Sequence, residues 1–525
     1  MRKRHQEQIS TLLRQIKKAQ TEELYAECQE VALFLCDYIE DVAGVGTKTV
    51  DMLVEYCELL FRIHNGENIK SFLKKHFVSI ENNVAAELKP TRLEMAFISY
   101  KAAQSDAIDS IYFAAKADPD CDAFWVPVPY NSRNKDGSRG EEIFESVGFY
   151  DERFEITDYK EYDIAARRPD AIFTFNTYDE TSFMMITPEE YFCRILRHQT
   201  DMLIYMPYFV SDDVPGEDLS GEEVEEMFSK RYAYEYGRLN CARPATFHCH
   251  KTILPSENIR RHFEYSYDKH APKIHKKNDG GAKKFFALGS PKLEKIINAT
   301  REDYPLSDEW KEIIGNKKVI LINMSVSSVN AGPAFVKKIV GMATFFTESQ
   351  DTVMWWRPHP ILESSINNVN PQVLERYRET MRLLGDSKRV IFDNTNYYHQ
   401  ALVWADGFFG DSGSLLNSVS LMGIPSIFSW ASSNVDIGSP LPKDAPIAEE
   451  FLATDIELKA MSEHAFQERN DLTLQHLAHF LVSDKNTPEA TQARRKAYID
   501  AYGSLSHNAG QDIYDYIKGE ILKNR

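Results

Sequence analysis

The chain is constrained most strongly by a change of hydrophobic period at Arg92. After this residue, short apolar runs of strand length alternate with helical stretches, whereas the apolar spacing before it is helical throughout. Strands that alternate with helices at this spacing form a parallel sheet covered on both faces, because parallel neighbours need a crossover connection. The sequence therefore predicts an α/β protein whose functional groups lie in the loops that follow the strands.

Two series of strands and helices follow one another along the chain. The first series is predicted to contain strands at 95–100, 123–128, 171–175, 202–206, 245–250 and 285–288, and helices at 105–117, 141–147, 188–198, 221–236 and 257–267. The second is predicted to contain strands at 319–324, 352–356, 389–392, 407–409 and 426–428, and helices at 333–348, 371–385, 396–405 and 414–422. Residues 268–284, which are charged and contain glycine, are predicted to form a loop.

These series predict two Rossmann-like domains that face each other across a cleft, preceded by an all-helical extension. The expected division is a helical extension at 1–89, a first Rossmann-like domain at 90–300, a second at 301–485 and a terminal helical region at 486–525.

Composition excludes several classes of protein. A net charge of −18 argues against a general nucleic-acid binder, which needs a basic surface to displace counterions from phosphates. The seven cysteines are odd in number and contain no Cys-x-x-Cys pair, so we expect reduced thiols rather than a disulfide framework or a zinc ribbon. No apolar run is long enough to span a bilayer, and the basic start is followed by polar residues, so we expect a cytoplasmic protein.

The predicted strand at 407–409 runs into a turn of small residues, Gly410-Asp-Ser-Gly-Ser414. The predicted helix that follows ends at Gly423, two residues before Pro425. The first N–H groups of a helix lack internal partners and carry the positive end of its dipole, so this turn suits a phosphate or diphosphate. Asp and Ser are also ordinary N-caps, and capping alone remains the alternative.

A second polar segment, Arg357-Pro-His-Pro360, follows the predicted strand at 352–356. The prolines prevent the residues before them from continuing as a helix, so an arginine and a histidine are expected at a strand end. Ligands of open α/β sheets bind outside the carboxyl ends of the strands. Arg357, His359 and the turn Asp411, Ser412, Gly413 and Ser414 are therefore expected to line one crevice if their strands share a sheet.

Polar groups also follow strands of the first series. Gly289-Ser-Pro-Lys292 follows the predicted strand at 285–288, where small residues let the backbone approach a ligand and Lys292 supplies charge. We therefore take Ser290 and Lys292 as candidate donor contacts. If 245–250 is a strand, His248 and His250 point to the same face. Three interpretations are then open: the two are metal ligands, one of them is a base, or both are packed residues. No third ligand stands at a fixed spacing, so no metal site is predicted.

The second-series motifs resemble those of the CDP-glycerol glycerophosphotransferases, which build teichoic-acid-like and capsular polymers. Arg-Pro-His-Pro at 357–360 is similar to the family's Arg-x-His-Pro, and Gly-Asp-Ser-Gly-Ser at 410–414 is similar to its Asp-x-Ser-Ser turn. The resemblance covers roughly residues 285–430. Gly413-Ser414 replaces a Ser-Ser pair, and the His-Gly-Thr-Pro-x-Lys segment that carries a proposed first-domain base is not found.

The resemblance implies a GT-B architecture with a CDP-linked polyol donor, a hydroxyl acceptor on a glycan, lipid-linked or polymer substrate, and no cofactor. The terminal helices at 486–525 are then expected to pack back on the first domain. Arg357 and His359 are assigned to the phosphate or the departing group, Ser412 and Ser414 to the diphosphate, and Asp411 to a cap or ribose contact. The base is expected from the first domain, with His250 ahead of His248 and His198.

Three other functions are weighed against this one. A nucleotide-sugar glycosyltransferase would use the same architecture and phosphate site, and a non-catalytic scaffold of a surface-polymer assembly complex fits the missing first-domain motif. Gly-Asp-Ser-Gly at 410–413 also matches the trypsin-like nucleophile segment, but that fold is antiparallel β and the flanks here alternate strand and helix.

The first helix has a basic amphipathic pattern. Ile9, Leu12, Leu13 and Ile16 share one face, interleaved with Arg14, Lys17 and Lys18. Two interpretations are open: the helix lies on the anionic inner face of the plasma membrane, or its apolar stripe packs on the following helices.

Overall fold

The computed structural model describes residues 1–134, 136–182, 185–210, 243–275, 283–359, 361–386, 390–395, 398–410, 414–428, 474–502, 505–523 and 525. Within these residues the chain forms a helical module followed by two parallel sheets with helices against them. None of the described helices is long and apolar enough to cross a membrane.

The amino-terminal module consists of helices packed in chain order. Their bounds are Lys3–Thr21, Tyr25–Ala43, Lys48–His64 and Lys70–Glu87. Ile9, Leu12, Leu13 and Ile16 are all buried in the core that these helices share. The packing interpretation of the first helix is therefore confirmed, and its apolar stripe is not available to a membrane surface.

The first sheet has the order β2-β1-β5-β7-β8-β9, with all neighbours parallel. Its strands are β1 Leu93–Ser99, β2 Cys121–Pro127, β5 Ala171–Thr174, β7 Met202–Tyr205, β8 Lys251–Leu254 and β9 Phe285–Ala287. A small antiparallel sheet made of β3 Tyr130–Arg133, β4 Arg139–Ile143 and β6 Met185–Ile186 is inserted between them. Its helices include Asp109–Ala117, Ile164–Arg167, Cys193–Leu196, Pro244–His248, Glu257–His275 and Pro291–Asn298.

The second sheet is also parallel, in the order β12-β11-β10-β13-β14. Its strands are β10 Lys318–Asn323, β11 Thr352–Trp356, β12 Val390–Phe392, β13 Gly407–Gly410 and β14 Ser426–Phe428. Its helices include Asp308–Ile314, Pro333–Glu348, Leu362–Val369, Leu374–Asp386, His399–Trp404, Ser414–Leu421 and Leu474–Leu481. The strand order is that of a Rossmann fold. From β10 the chain adds β11 and β12 on one side, and it then adds β13 and β14 on the other side of β10, so the strand order reverses there. The expected fold class, two Rossmann-like units with a helical extension, is thus confirmed.

The last helices, Pro488–Tyr502 and Ala509–Lys523, contact different units. In the first of them, the Arg494 Nε donates to the carbonyl oxygen of Gly423 in the second unit at 2.8 Å. In the second, Ile513 and Tyr514 are buried in the same core as the first sheet. The chain therefore returns from the second unit to the first.

Several expected elements are wrong. Residues 139–143 form a strand instead of the helix expected at 141–147, because they pair with β3 in an antiparallel hairpin. Residues 244–248 form a helix with Pro244 in its first turn, and the strand expected at 245–250 begins only at Lys251. The helix that begins at Glu257 continues to His275, through part of the loop expected at 268–284. The helix expected at 221–236 lies outside the described residues.

Candidate functional site

The strand order of the second sheet reverses at the β10–β13 pair, and this pair ends with Asn323 opposite Gly410. A Cβ on Gly410 would stand 2.1 Å from the Asn323 carbonyl oxygen, so the close approach of the two strands requires glycine here. Open α/β sheets bind ligands at such a reversal, outside the carboxyl ends of the strands. Asp411, Ser412 and Gly413 lie outside the described residues, and of Ser414 only the backbone is described, as the first residue of the helix Ser414–Leu421.

Arg357 follows β11 at the same edge, and its guanidinium is buried in an ion pair. The Nη1 atom donates to Oδ2 of Asp393 at 2.7 Å, and Nη2 donates to the carbonyl oxygen of Thr395 at 2.9 Å. Asp393 is 1% exposed and also accepts from Nε1 of Trp355 at 3.0 Å. In this arrangement Arg357 joins the loops after β11 and β12 instead of presenting a free fork to a phosphate.

Asp393 and Thr395 were not singled out by the sequence analysis. Asp393 follows β12 directly, as Arg357 follows β11, so the rule that polar residues at strand ends share an edge was a signal for it. The arginine is further fixed through its main chain. Its N–H donates to the Ile322 carbonyl oxygen at 3.0 Å, and its carbonyl oxygen accepts from Nδ2 of Asn323 at 2.8 Å.

His359 stands two residues beyond Arg357 and is partly buried. Its Nδ1 accepts from the backbone N–H of Ile361 at 3.3 Å. Burial, followed by the charge of Lys101, lowers the pKa of the imidazole to about 4. The ring is therefore neutral at pH 7, and with Nδ1 as an acceptor we assign its proton to Nε2. This places a neutral N–H donor at the edge.

The carboxyl edge of the first sheet meets this edge. Lys101 follows β1, with its Nζ 5.8 Å from the centre of the Tyr130 ring. Five residues later, Asp106 accepts a hydrogen bond at Oδ2 from the hydroxyl of Tyr398, which lies beyond β12, at 3.0 Å. The edges of the two units are therefore in direct contact.

Ser290 and Lys292, the candidate donor contacts of the first unit, are engaged within the protein. The Ser290 hydroxyl caps the helix Pro291–Asn298 by accepting from the Leu293 N–H at 3.4 Å. The Lys292 Nζ donates to Asp106 Oδ2 at 2.8 Å and is buried. A Cβ on Gly289 would lie 2.8 Å from that of Ala509, so the close backbone approach expected there is to the last helix.

His250, the first candidate base, lies at the opposite edge of the first sheet. It precedes β8, where its N–H donates to the Leu203 carbonyl oxygen at 2.9 Å and its Nδ1 accepts from the Leu203 N–H at 2.8 Å. Burial and then the charge of Arg197 lower its pKa. A strand of four residues separates the two edges by roughly 10 Å. The structure therefore does not bring His250 to Arg357 and His359.

The other candidate histidines do not supply this edge either. His248 ends the helix Pro244–His248, so the expected shared strand face with His250 does not exist. His198 precedes β7, on the same side of the sheet as His250. No group of three or more His, Cys, Asp or Glu side chains within the described part of the chain is arranged to hold a metal ion.

Asp179 is a buried acid at the carboxyl edge of the first sheet. It follows β5 with a positive φ of 42°, is 1% exposed, and its Oδ2 accepts from the Cys193 N–H at 2.7 Å. Burial raises its pKa to about 7. Such strained backbone is costly for a residue with a side chain and is found most often near functional sites.

An open depression of about 630 Å³ lies elsewhere, at the amino edge of the second sheet. It is lined by residues that include Lys317, Asp351 and Ser483. Because ligands of open α/β sheets bind at the carboxyl edge, we place the candidate site there and not in this depression.

Comparison with known proteins shows similarity at the level of solved structures. No family model matches the chain, and no curated protein matches it. A Listeria monocytogenes protein described as a UDP-N-acetylglucosamine 2-epimerase is 15% identical, with 82% of this chain and 97% of that chain covered and a TM-score of 0.44. The wall teichoic acid polymerase TagF is 14% identical, with 91% and 100% covered and a TM-score of 0.43. S. aureus MnaA with UDP is 11% identical, with 82% and 97% covered and a TM-score of 0.42. At these values the similarities do not bear on function.

Proposed function

We propose that the protein transfers glycerol-phosphate, or a related polyol-phosphate, from a CDP-activated donor to a hydroxyl acceptor in the synthesis of a cell-surface polymer. The observation that carries the proposal is the reversal of strand order at the β10–β13 pair, which ends with Asn323 opposite Gly410. The strand β13 ends at Gly410, and a helix begins at Ser414. A helix N-terminus at the point where the strand order reverses suits a diphosphate, because its free N–H groups face the crevice where open α/β sheets bind ligands.

In the proposed reaction, an acceptor hydroxyl oxygen attacks the phosphorus of the glycerol-phosphate group. The bond from that phosphorus to the bridging oxygen breaks, CMP leaves with the bonding electrons, and the hydroxyl proton passes to a base. Negative charge develops on the departing phosphate, so hydrogen-bond donors fixed beside it lower the barrier.

The residues take separate roles in this proposal. The Nε2–H of His359 donates to the departing phosphate, and the backbone and hydroxyls of Ser412 and Ser414 hold the diphosphate. Arg357 positions the loop after β12 through Asp393 and Thr395, and contacts phosphate only if it exchanges those partners. The base belongs to the first unit and is not His250, which lies at the opposite edge.

A thermal-shift series tests the choice of donor. A ligand that binds only the folded state raises stability by about 2.7 kcal/mol at one hundred times its Kd, so the preferred nucleotide is visible directly. We expect CDP-glycerol and CDP-ribitol to stabilise the protein more than UDP-sugars, and CMP more than UMP. The matched control is Ser364→Ala, which changes an exposed serine of the helix Leu362–Val369 and should leave the series unchanged.

Transfer itself is then measured with labelled CDP-glycerol and a polyol-phosphate primer. Label that appears in the primer, with release of CMP, supports the proposal. A preference for UDP-sugars would instead support the nucleotide-sugar glycosyltransferase, and the absence of stabilisation by any nucleotide would support the scaffold.

A further inference from the structure

A buried polar cluster joins the two units beside the candidate site. Asp106 belongs to the first unit and is 4% exposed. Its Oδ2 accepts from Lys292 at 2.8 Å and from Tyr398, of the second unit, at 3.0 Å. One carboxylate oxygen therefore connects the two units.

His399 is the least satisfied member of this cluster. It is 2% exposed, its ring stacks on Tyr304 with a centroid distance of 5.5 Å, and the Tyr398 ring lies 4.2 Å away, tilted by 30°. Its Nε2 lies 3.7 Å from Asp106 Oδ2, too far for a hydrogen bond. Among the described residues neither ring nitrogen of His399, nor Oδ1 of Asp106, has a hydrogen-bond partner. Buried polar atoms are nearly always paired, and this cluster holds the donor and acceptor atoms for one further hydrogen bond between Asp106 and His399.

The cluster is connected to Arg357 through the loop after β12. Arg357 donates to the carbonyl oxygen of Thr395, and Thr395 donates its N–H to Oδ1 of Asp393 at 3.0 Å. Tyr398 and His399 stand three and four residues beyond Thr395, with 396 and 397 outside the described residues. A ligand that exchanges with Thr395 for the guanidinium would therefore remove one of the hydrogen bonds that hold Thr395.

We propose that the Asp106–His399 contact is a switch between the two units, which closes from 3.7 Å to a hydrogen bond when a phosphate-bearing ligand binds at Arg357 and His359. The inference rests on the proposed function for the location of the phosphate. It adds that this ligand changes the contact between the units.

Closing the contact changes the protonation of His399. In the present arrangement burial lowers its pKa to about 3, opposed by Asp106 and assisted by Lys295, Lys292 and Arg357. The rings of Tyr304 and Tyr398, which are also titratable, lie against it. A carboxylate brought into hydrogen-bond contact favours the imidazolium, so closure raises the pKa of His399. Ligand binding should then take up protons, and affinity should rise as the pH falls from 7.5 to 6.

The test uses CDP as the probe with the full-length chain and the variant His399→Phe. Phenylalanine retains the stacked ring and removes both unpaired nitrogens. We expect the free variant to melt at the same temperature as the wild type or higher, because two unsatisfied buried atoms are gone. Its affinity for CDP should fall about tenfold, because the closing hydrogen bond is lost. Proton uptake, measured by calorimetry in buffers of different ionisation enthalpy, should disappear.

Two further variants make the result specific. Asp106→Asn should also abolish proton uptake, and its effect on affinity should not add to that of His399→Phe, since both remove one contact. His262→Phe is the matched control, because His262 is a buried histidine of the helix Glu257–His275. It should leave CDP affinity and proton uptake unchanged.

The outcomes separate the switch from the proposed function. If the wild type binds CDP, and His399→Phe binds it equally well with equal proton uptake, the switch is wrong and the donor site stands. If the wild type binds inorganic pyrophosphate but not CDP, and His399→Phe weakens that binding, the switch stands and the CDP donor is wrong. If the wild type binds neither probe, both are wrong.

Discussion

The two sheets differ in how they hold a buried acid at their carboxyl edges. In the second sheet, Asp393 is paired with Arg357 and also accepts from Trp355. In the first sheet, Asp179 is held by the N–H of Cys193, with strained backbone and a raised pKa. Burial of a carboxylate without a cation beside it favours the neutral form. The acid of the second edge is therefore engaged in an ion pair, and the acid of the first edge is able to exchange a proton near neutral pH.

The largest effect is expected for Arg357→Ala. Removing one partner of a buried ion pair leaves Asp393 uncompensated, so the free energy of unfolding should fall by about 3–5 kcal/mol. Urea unfolding measures this loss, and Asp393→Asn combined with Arg357→Ala should restore part of it. An Arg357→Ala protein as stable as the wild type would show that the guanidinium is not paired in solution. Lost donor binding in this variant is informative only after the stability is known.

Asp179 should give the carboxyl edge of the first sheet its own pH dependence. The folded-state pKa of about 7 lies above the ordinary value of 3.8, so the folded protein holds this proton more tightly than the unfolded chain. The stabilisation is fully present below pH 4 and is lost as the pH rises to 7. Asp179→Asn, which mimics the neutral acid, should therefore gain roughly 2–4 kcal/mol relative to the wild type between pH 4 and pH 8. The same stability difference at both pH values would mean that Asp179 is not buried as described.

Gly410→Ala tests the close approach of β10 and β13 at the point where the strand order of the second sheet reverses. The added Cβ would meet the Asn323 carbonyl oxygen at 2.1 Å, so the strands must shift. We expect this shift to lower the free energy of unfolding by about 1–3 kcal/mol and to weaken nucleotide binding at the segment after Gly410. Gly519→Ala is the matched control in the last helix, where the new Cβ meets nothing within 4 Å. That change should stabilise the protein by about 0.5–1 kcal/mol. Equal effects of the two substitutions in thermal unfolding would contradict the packing at Gly410.

The smallest effect is expected for Lys17→Glu in the helical module. Lys17 pairs with Glu81 at 2.9 Å on the surface, and such pairs contribute about 0.2–1 kcal/mol. The apolar stripe of the same helix is buried, so sedimentation with anionic vesicles should not change. Weaker sedimentation would show that this basic face contacts membranes without its apolar stripe.

Much of the second unit could be predicted because its strands are continuous apolar runs bounded by turn residues. The strand Thr352–Trp356 and the helix Pro333–Glu348 have the predicted bounds. The first unit was harder because Pro244 begins a short helix in an apolar run that also fits a strand, and because β4 is a polar hairpin strand with helical composition. His250 was the first of the candidate bases, but only the strand boundary shows on which edge it lies.

At the candidate site, the residue types at strand ends were predictable and their partners were not. Arg357 and His359 follow β11 as expected. The pairing of Arg357 with Asp393 depends on β11 and β12 being neighbours, and the cluster at Asp106 depends on how the two units meet. Local hydrophobic periodicity predicts neither which strands are neighbours nor how the two units meet. The turn at Asp411, Ser412 and Gly413 remains a prediction.

The most direct test of the donor site is a crystal structure of the protein with CDP. We predict the diphosphate at the carboxyl edge of the second sheet, outside Asn323 and Gly410, within hydrogen-bond distance of Nε2 of His359 and of the turn before Ser414. A nucleotide bound in the depression at the amino edge, near Lys317 and Ser483, would contradict this location. So would a diphosphate more than about 10 Å from the His359 imidazole, since His359 could not then act on the departing phosphate.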